Sequence, residues 1–328
     1  MGADDAVTLP LAFSGQRLDW RDLPTPVRRR ISELAGAQVT AEITATEGFS
    51  PGFVAVLELA DGQAVFVKAV SAEISGSSIA MARREIVVAG ALPPQVPAPR
   101  LLWSDDDGEW VLLGFESVHG RSPQMPWTRE DLADVLATLD TLAEAEPLPG
   151  HALPRTDDLL DDEFTGWRRL LRAPAPQRAG LAAAAGPDVA WALDHLDHLV
   201  SWEQDAMTVC AGDALVHGDL RADNVLIQDD HRVWLIDWPH ASVGAPWLDL
   251  AFMLPSVSLQ GGGDPATVFA SQAASEGVPA ADLRAVLAGL AGAFLWGSLQ
   301  PAPRGVPNLR AFQAAQGEAA LRWLHQVA

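Results

Sequence analysis

The sequence VHGDLRADNVLI, residues Val216–Ile227, is followed closely by VWLIDW, residues Val233–Trp238. In both stretches apolar, β-branched residues adjoin a short polar segment, which predicts a loop at the mouth of a strand. A rigid strand holds such a loop in place, so its polar side chains point outward in a defined arrangement. These two segments therefore predict the position of a functional site.

Two carboxylates and one amide could converge at these loops: Asp219, Asn224 and Asp237. Hard oxygen ligands of this kind suit Mg²⁺, which dehydrates reluctantly and shares its shell with phosphates. Phosphoryl transfer needs such a metal and a carboxylate that orients the attacking hydroxyl. An alternative is that His217 and Asp219 form an H-x-D metal pair of a hydrolase. The downstream Asn224 and Asp237, together with Lys68 upstream, disfavour that alternative.

These motifs, with GAPWLDLA at residues 244–251, resemble the aminoglycoside phosphotransferase family, which shares the fold of protein kinases. The resemblance covers roughly residues 40 to 260. It implies an α+β, two-lobed, protein-kinase-like fold, with a β-rich N-lobe containing one helix and a larger helical C-lobe. It also implies that ATP or GTP binds between the lobes, with its base against the Val111–Glu116 connection, and that the γ-phosphoryl group moves to a hydroxyl.

By the same resemblance, Asp219 is the catalytic aspartate, and Asn224 and Asp237 hold Mg²⁺. Asp249 is then structural and braces the catalytic loop. For His217, a structural histidine that fixes the loop by hydrogen bonds is favoured over a catalytic one.

The N-terminal half has the strand and turn pattern of a β-meander. Strands are expected from Val39 and over Val65–Val70, with a hairpin turn at Asp61-Gly62 and a helix over Ser78–Ala91. The expected domains are 1–39, an extension with a helix; 40–116, the phosphate-binding N-lobe; and 117–328, the helical C-lobe. Three local expectations are an irregular segment over residues 1–23, a helix capped by Thr25 and ended by Gly36, and one long helix over Asp188–Ala211.

Lys68 is the only lysine, and every other basic side chain among the 22 Lys and Arg residues is arginine. It lies within an apolar strand, which indicates a function that needs a compact ammonium group rather than a planar guanidinium. In kinase folds a strand lysine contacts the α- and β-phosphates and pairs with a helix glutamate. Glu85 is the candidate partner, and the nearby Glu73 is the alternative.

The glycine turn Gly48–Gly52 is the candidate phosphate loop, with Ser50 and Gly52 as nucleotide-binding residues. It departs from the protein-kinase pattern G-x-G-x-x-G-x-V, of which only Gly52 and Val54 fit the spacing. The sequence contains no G-x-x-x-x-G-K-[ST], which excludes a P-loop NTPase.

The formal net charge of −21 disfavours nucleic acid and anionic membranes as partners and is compatible with a cationic ligand or with simple solubility. The single cysteine, Cys210, cannot form an intramolecular disulfide, and no secretory signal is apparent. A cytoplasmic location is therefore expected. The uncharged stretch Ala285–Pro303 is interrupted by glycines and prolines, which predicts a buried helix rather than a membrane span.

The acceptor is expected to be an aminoglycoside or another antibiotic. Alternatives are another metabolite of the choline, homoserine, sugar or nucleoside type, a protein substrate, or a catalytically silent nucleotide-binding regulator. The acidic run Asp157–Glu163 is either a binding surface for a cationic acceptor or a solvated surface loop.

Overall fold

The computed structural model describes residues 17–44, 52–73, 76–144, 153–184, 187–303 and 306–328, which form two lobes. The strands of the N-lobe are β1 (Arg17–Leu18), β2 (Val39–Thr44), β3 (Gly52–Leu59), β4 (Ala64–Ser71), β5 (Leu101–Asp106) and β6 (Trp110–Glu116). The short strands of the C-lobe are β7 (Ala214–Val216), β8 (Val225–Ile227), β9 (Val233–Leu235) and β10 (Ser242–Gly244).

Twelve helices lie in the described part of the chain. They are α1 (Thr25–Ala35), α2 (Gly76–Ala91), α3 (Arg129–Ala143), α4 (Thr156–Glu163), α5 (Gly166–Arg172), α6 (Ala175–Ala184), α7 (Pro187–Asp194), α8 (Leu196–Val209), α9 (Leu248–Leu259), α10 (Pro265–Ala270), α11 (Ala280–Ser298) and α12 (Leu309–Val327). The first two belong to the N-lobe and the other ten to the C-lobe.

The six strands of the N-lobe form one sheet in the order β1-β3-β4-β6-β5, with β2 also paired to β3. Within it, β4 is antiparallel to both β3 and β6, which places Lys68 opposite Val54 and Leu113. The expectation of an irregular segment before residue 23 is wrong for β1, which pairs with β3 in parallel through Arg17 and Gly52. Two residues are too short to show a strand period, so backbone pairing alone reveals this strand.

Helix α1 packs against the sheet. Its buried residues Val27 and Ile31 share one apolar cluster with Phe53 of β3. The helix ends at Gly36, whose left-handed φ of 78° suits glycine, as expected. Thr25 is the first helical residue and Pro24 occupies the cap, so the predicted cap differs by one position.

The apolar stretch before residue 303 is a core helix of the C-lobe. Helix α11 is the one described helix that is long and apolar enough to cross a membrane, and 56% of its most apolar segment is buried inside the protein. A Cβ atom on Gly166 of α5 would lie 1.8 Å from the Gly292 carbonyl oxygen of α11. Glycine at this position thus allows the two helix backbones to touch.

Two other expectations for the C-lobe need correction. The segment Asp188–Ala211 is two helices, α7 and α8, because His195 leaves helical geometry and its Nδ1 lies 2.8 Å from the Trp191 carbonyl oxygen. That side chain occupies the oxygen that a continuous helix would use. The acidic run Asp157–Glu163 forms helix α4 rather than a loop.

We predict that Ile31→Ala lowers the free energy of unfolding by about 2–5 kcal/mol, because it leaves a cavity between α1 and the sheet. Ile31 is fully buried. Ile43→Ala is the matched control, since Ile43 is 61% exposed and should change stability by about 0.5 kcal/mol or less. Denaturant unfolding of both variants measures the difference. Equal losses would show that α1 is not part of the N-lobe core.

Candidate active site

A cleft of about 410 Å³ lies between the sheet and the loops that follow β7 and β9. Val54, Phe66 and Lys68 line it from the sheet, and Asn224 and Asp237 line it from the C-lobe. A volume of this size suits a small molecule. The cleft thus joins residues that are more than 150 positions apart in sequence.

Lys68 lies at the centre of an ion-pair network between the lobes. Its Nζ donates to both carboxylate oxygens of Glu85 on α2, at 2.7 and 2.9 Å, and to Asp237 Oδ1 at 2.5 Å. The side chain of Lys68 is only 12% exposed. Glu85 is therefore the helix partner of Lys68, whereas Glu73 is exposed at the surface.

The charges of this network shift one another's pKa values. Burial opposes the charged form of Lys68, but the carboxylates of Asp237 and Glu85 outweigh it and raise the pKa of Lys68 above its usual range. Burial likewise opposes ionisation of Asp237, yet Lys68 holds the pKa of Asp237 at about 2. Burial raises the pKa of Glu85, and Lys68 opposes this. Lys68 and Asp237 are thus both charged at neutral pH.

The loop after β7 is held by a buried carboxylate. Asp249, near the start of α9, accepts hydrogen bonds from the backbone N–H groups of His217 at 2.7 Å and Gly218 at 2.9 Å. Gly218 has a left-handed φ of 81°, and a Cβ atom there would lie 2.7 Å from the His240 carbonyl oxygen. Only glycine fits this turn without strain, and Asp219 follows it directly in the chain.

His217 is fully buried, and its ring connects the two loops. Its Nε2 lies 3.0 Å from the Ile236 carbonyl oxygen, and its Nδ1 lies 3.3 Å from the Asp219 backbone nitrogen. Burial lowers the pKa of His217 to about 4, so the ring is neutral at pH 7. A neutral ring that donates at Nε2 and accepts at Nδ1 matches a positioning histidine.

Asn224 joins Asp219 to the rest of the site. Its Nδ2 donates to the Asp219 carbonyl oxygen at 2.7 Å and lies 3.3 Å from Asp219 Oδ2. The backbone carbonyl oxygen of Asn224 accepts a hydrogen bond from the Ile236 backbone nitrogen at 3.0 Å. Because the amide nitrogen faces Asp219, the side-chain oxygen of Asn224 is the atom left to face a metal.

Arg221 is a site residue that the sequence interpretation did not single out. Its guanidinium donates to Asp219 Oδ1 and to both oxygens of Asp223, the latter at 3.1 Å each. Burial raises the pKa of Asp219, and Arg221 opposes this rise. In the sequence, Arg221 is visible only as an arginine two positions after Asp219, and this spacing does not show that the two side chains are in contact.

A second cavity of about 520 Å³ opens on the other side of Asp219. Asp162 and Glu163 of α4 line it, together with apolar residues of α9 and α11 and two glutamines of α12. The sequence interpretation named the acidic run but not the glutamines, Gln313 and Gln316. The sequence does not indicate that these two glutamines face a cavity, because only the packing of the helix shows which of its side chains point inward.

Gly52 and Ser50 are the two remaining predicted residues. Gly52 has φ 121°, and a Cβ atom there would meet the Ala69 carbonyl oxygen at 2.7 Å, so glycine is required. Ser50 lies outside the described residues. Among the residues that the structure describes, no cluster of three or more His, Cys, Asp or Glu side chains has metal-binding geometry.

We predict that Asp249 makes stability depend on pH. Burial raises the pKa of Asp249 from 3.8 to about 6, so its stabilising contribution is greatest below about pH 4 and is lost as pH rises through 6. Asp249→Asn removes this titration. The stability difference, wild type minus variant, should therefore fall between pH 4 and 6 by an amount on the order of 1–3 kcal/mol. Thermal unfolding across that range measures it, and a constant difference would contradict the prediction.

A family model described as the phosphotransferase enzyme family, APH, matches residues 47–301. A search of curated proteins found no match to the sequence.

Three solved structures illustrate the likeness in fold. Aminoglycoside phosphotransferase APH(4)-Ia, a thermostable mutant in complex with ADP and hygromycin B, has a TM-score of 0.57 at 18% identity, over 91% of this chain and 99% of that one. The aminoglycoside phosphotransferase from Alicyclobacillus acidocaldarius has a TM-score of 0.55 at 17% identity, and the match covers 88% of this chain and 91% of that one. Spectinomycin phosphotransferase APH(9)-Ia, in complex with ADP and spectinomycin, has a TM-score of 0.59 at 11% identity, and the match covers 91% of this chain and 98% of that one.

At these identities the structural likeness shows the fold alone, while the family model matches more than half of the chain. The predicted resemblance, the two-lobed kinase-like fold and the small-molecule kinase class are confirmed. The chain belongs to the phosphotransferase enzyme family.

Proposed function

We propose that this protein transfers the γ-phosphoryl group of ATP to a hydroxyl group of a small molecule. One observation carries the proposal: Asp219 lines the second cavity, while Asn224, hydrogen-bonded to it, lines the cleft with Lys68 and Asp237. Two compartments connected through the Asp219–Asn224 hydrogen bonds suit a reaction that joins a nucleotide and an acceptor.

In this proposal Asp219 orients the acceptor hydroxyl and takes up its proton. A new bond forms between the hydroxyl oxygen and the γ-phosphorus, the bond from phosphorus to the bridging oxygen breaks, and ADP leaves. Burial raises the pKa of Asp219, Arg221 opposes this rise, and its guanidinium fixes Asp219 Oδ1. Lys68, held by Glu85, contacts the nucleotide phosphates as a compact cation.

Asn224 and Asp237 fit Mg²⁺ as hard oxygen ligands. Mg²⁺ uses one or two carboxylates together with substrate phosphates, which accounts for the lack of a complete protein cluster among the described residues. When bound, the ion neutralises negative charge on the phosphates. The Asn224 amide, oriented by Asp219, and the ionised Asp237 would hold it there.

ATP is favoured as the donor because several fold neighbours were solved with ADP, AMP-PNP or AMP. Gly52 and, as a further proposal, Ser50 would supply the turn over the phosphates. A cytoplasmic location, where ATP is present and Cys210 remains a thiol, stays a prediction.

For the acceptor we propose a hydroxylated antibiotic or similar metabolite that carries positive charge and one apolar face. Asp162 and Glu163 supply negative charge to the second cavity, and Phe252 and Phe294 supply an apolar wall. Gln316 is 2% exposed, and its Nε2 has no hydrogen-bond partner among the described residues, so an acceptor oxygen would satisfy it.

We expect Asp219→Asn to reduce turnover by about 10²–10⁴-fold and to leave ATP binding nearly intact, because an amide cannot accept the hydroxyl proton. An acceptor screen with ATP and Mg²⁺, followed by mass detection of the added phosphate, identifies the substrate on which turnover is measured. A chelator should stop the reaction.

Asp229→Asn, at an exposed turn, is the matched control and should keep wild-type activity. Turnover by Asp219→Asn within a few-fold of wild type would remove Asp219 from the catalytic position. Nucleotide binding without turnover on any acceptor would indicate a silent regulator instead. Phosphate appearing on protein would indicate a protein kinase.

The proposed charge of the acceptor predicts a response to salt. Neutralising Asp162 and Glu163 together, as Asp162→Asn and Glu163→Gln, should raise the acceptor KM and reduce its dependence on ionic strength. Asp162 and Glu163 are exposed, and exposed charges attract a cation over about 8 Å at physiological ionic strength. Steady-state kinetics from low to high salt measures the effect, and the KM for ATP should change less.

The matched control neutralises Asp158 and Asp161 of the same helix, which are exposed and do not line the cavity. If both double variants respond alike, the helix acts only through its overall charge. A flat salt response of the wild type would indicate a neutral acceptor.

A further inference from the structure

A basic residue in the cleft comes from outside the segment that matches the family model. That segment begins at residue 47, whereas Arg17 belongs to β1. Among the described residues that line the cleft, Arg17 and Lys68 are the positively charged ones, against the carboxylates Glu85, Glu116, Asp223 and Asp237. A polyanionic nucleotide needs more positive charge than one lysine already engaged by two carboxylates.

Strand pairing explains how Arg17 reaches the cleft. Strand β4 covers one edge of β3, and β2 pairs with the other edge from Ala55 onward. At the start of β3, before the segment that pairs with β2, strand β1 pairs with this second edge instead, and Arg17 lies beside Gly52. Side chains alternate between the faces of a sheet, so Gly52 and Val54 share one face. Val54 and Arg17 both line the cleft, so this face of the sheet is the one that borders the proposed nucleotide site.

The surroundings of Arg17 place it near the phosphate end of the cleft. It neighbours Gly52, the last residue of the glycine turn, which has no side chain to fill the space. It also interacts electrostatically with Asp237 across the cleft. Burial lowers the pKa of Arg17, and Asp237 opposes this effect, so the guanidinium remains charged in a partly desolvated position.

We propose that Arg17 is a nucleotide-binding residue that contacts the phosphates of the bound nucleotide from the N-terminal strand. Guanidinium groups form strong, charge-assisted hydrogen bonds to phosphate oxygens. Lys68 and Arg17 then hold the polyphosphate from two strands of one sheet. This inference rests on the proposed ATP-dependent activity.

Binding of ATP, ADP and adenosine to the full-length protein, measured by calorimetry, tests this assignment. Arg17→Met should raise the Kd for ATP and ADP by about tenfold or more, because a charge-assisted hydrogen bond is lost. The Kd for adenosine should change less than about twofold, since adenosine has no phosphate. Arg17→Lys should bind ATP with intermediate affinity, because it keeps the charge without the planar fork.

Arg21→Met is the matched control, since Arg21 lies four residues along the same segment, is 82% exposed and should leave all three affinities unchanged. Unchanged ATP affinity in Arg17→Met would overturn the assignment, and so would equal weakening of ATP and adenosine, which would mean that Arg17 only shapes the lobe. Failure of the wild type to bind ATP would instead overturn the proposed function, so the two failures are distinct.

Discussion

The buried ammonium group of Lys68 is the constraint on which the arrangement of the two lobes depends. A lysine that is 12% exposed needs compensating charge, and its carboxylate partners come from α2 and from the loop after β9. Moving either lobe would separate a buried cation from an anion. A second contact, from Arg84 of α2 to the Ala241 carbonyl oxygen at 3.3 Å, joins the same two parts of the chain.

The same interaction explains an unusual backbone conformation. Asp237 has φ 67°, in the left-handed region that few residues other than glycine adopt. Such a conformation costs free energy and persists where surrounding contacts hold it. Here the ion pair with Lys68 holds the side chain, and Asp237 thereby faces the cleft that we propose for the nucleotide.

In the C-lobe, the loops of the site are supported by hydrogen bonds to backbone groups rather than by a buried ion pair. Asp249 and His217 are both buried and connect three segments that are distant in sequence. The side chains of Asp249 and His217 both have hydrogen-bond partners, which limits the free-energy cost of their burial. The loop that carries Asp219 is therefore held by buried hydrogen bonds, and Asp219 itself lines the second cavity.

Most strands of the N-lobe, the glycine turns and the polar motifs could be predicted from the sequence, because these are local patterns of residue type and spacing; the two-residue strand β1 could not. The sequence motifs predict Lys68, Glu85, Asp219, Asn224 and Asp237 as site residues, and the structure brings them together through the Lys68 ion pairs and the Asp219–Asn224 hydrogen bond. The tertiary structure alone decided that Arg221 contacts Asp219, that Gln316 faces the second cavity and that Arg17 enters the cleft. Those contacts join segments whose meeting depends on sheet register and helix packing, which no local pattern records.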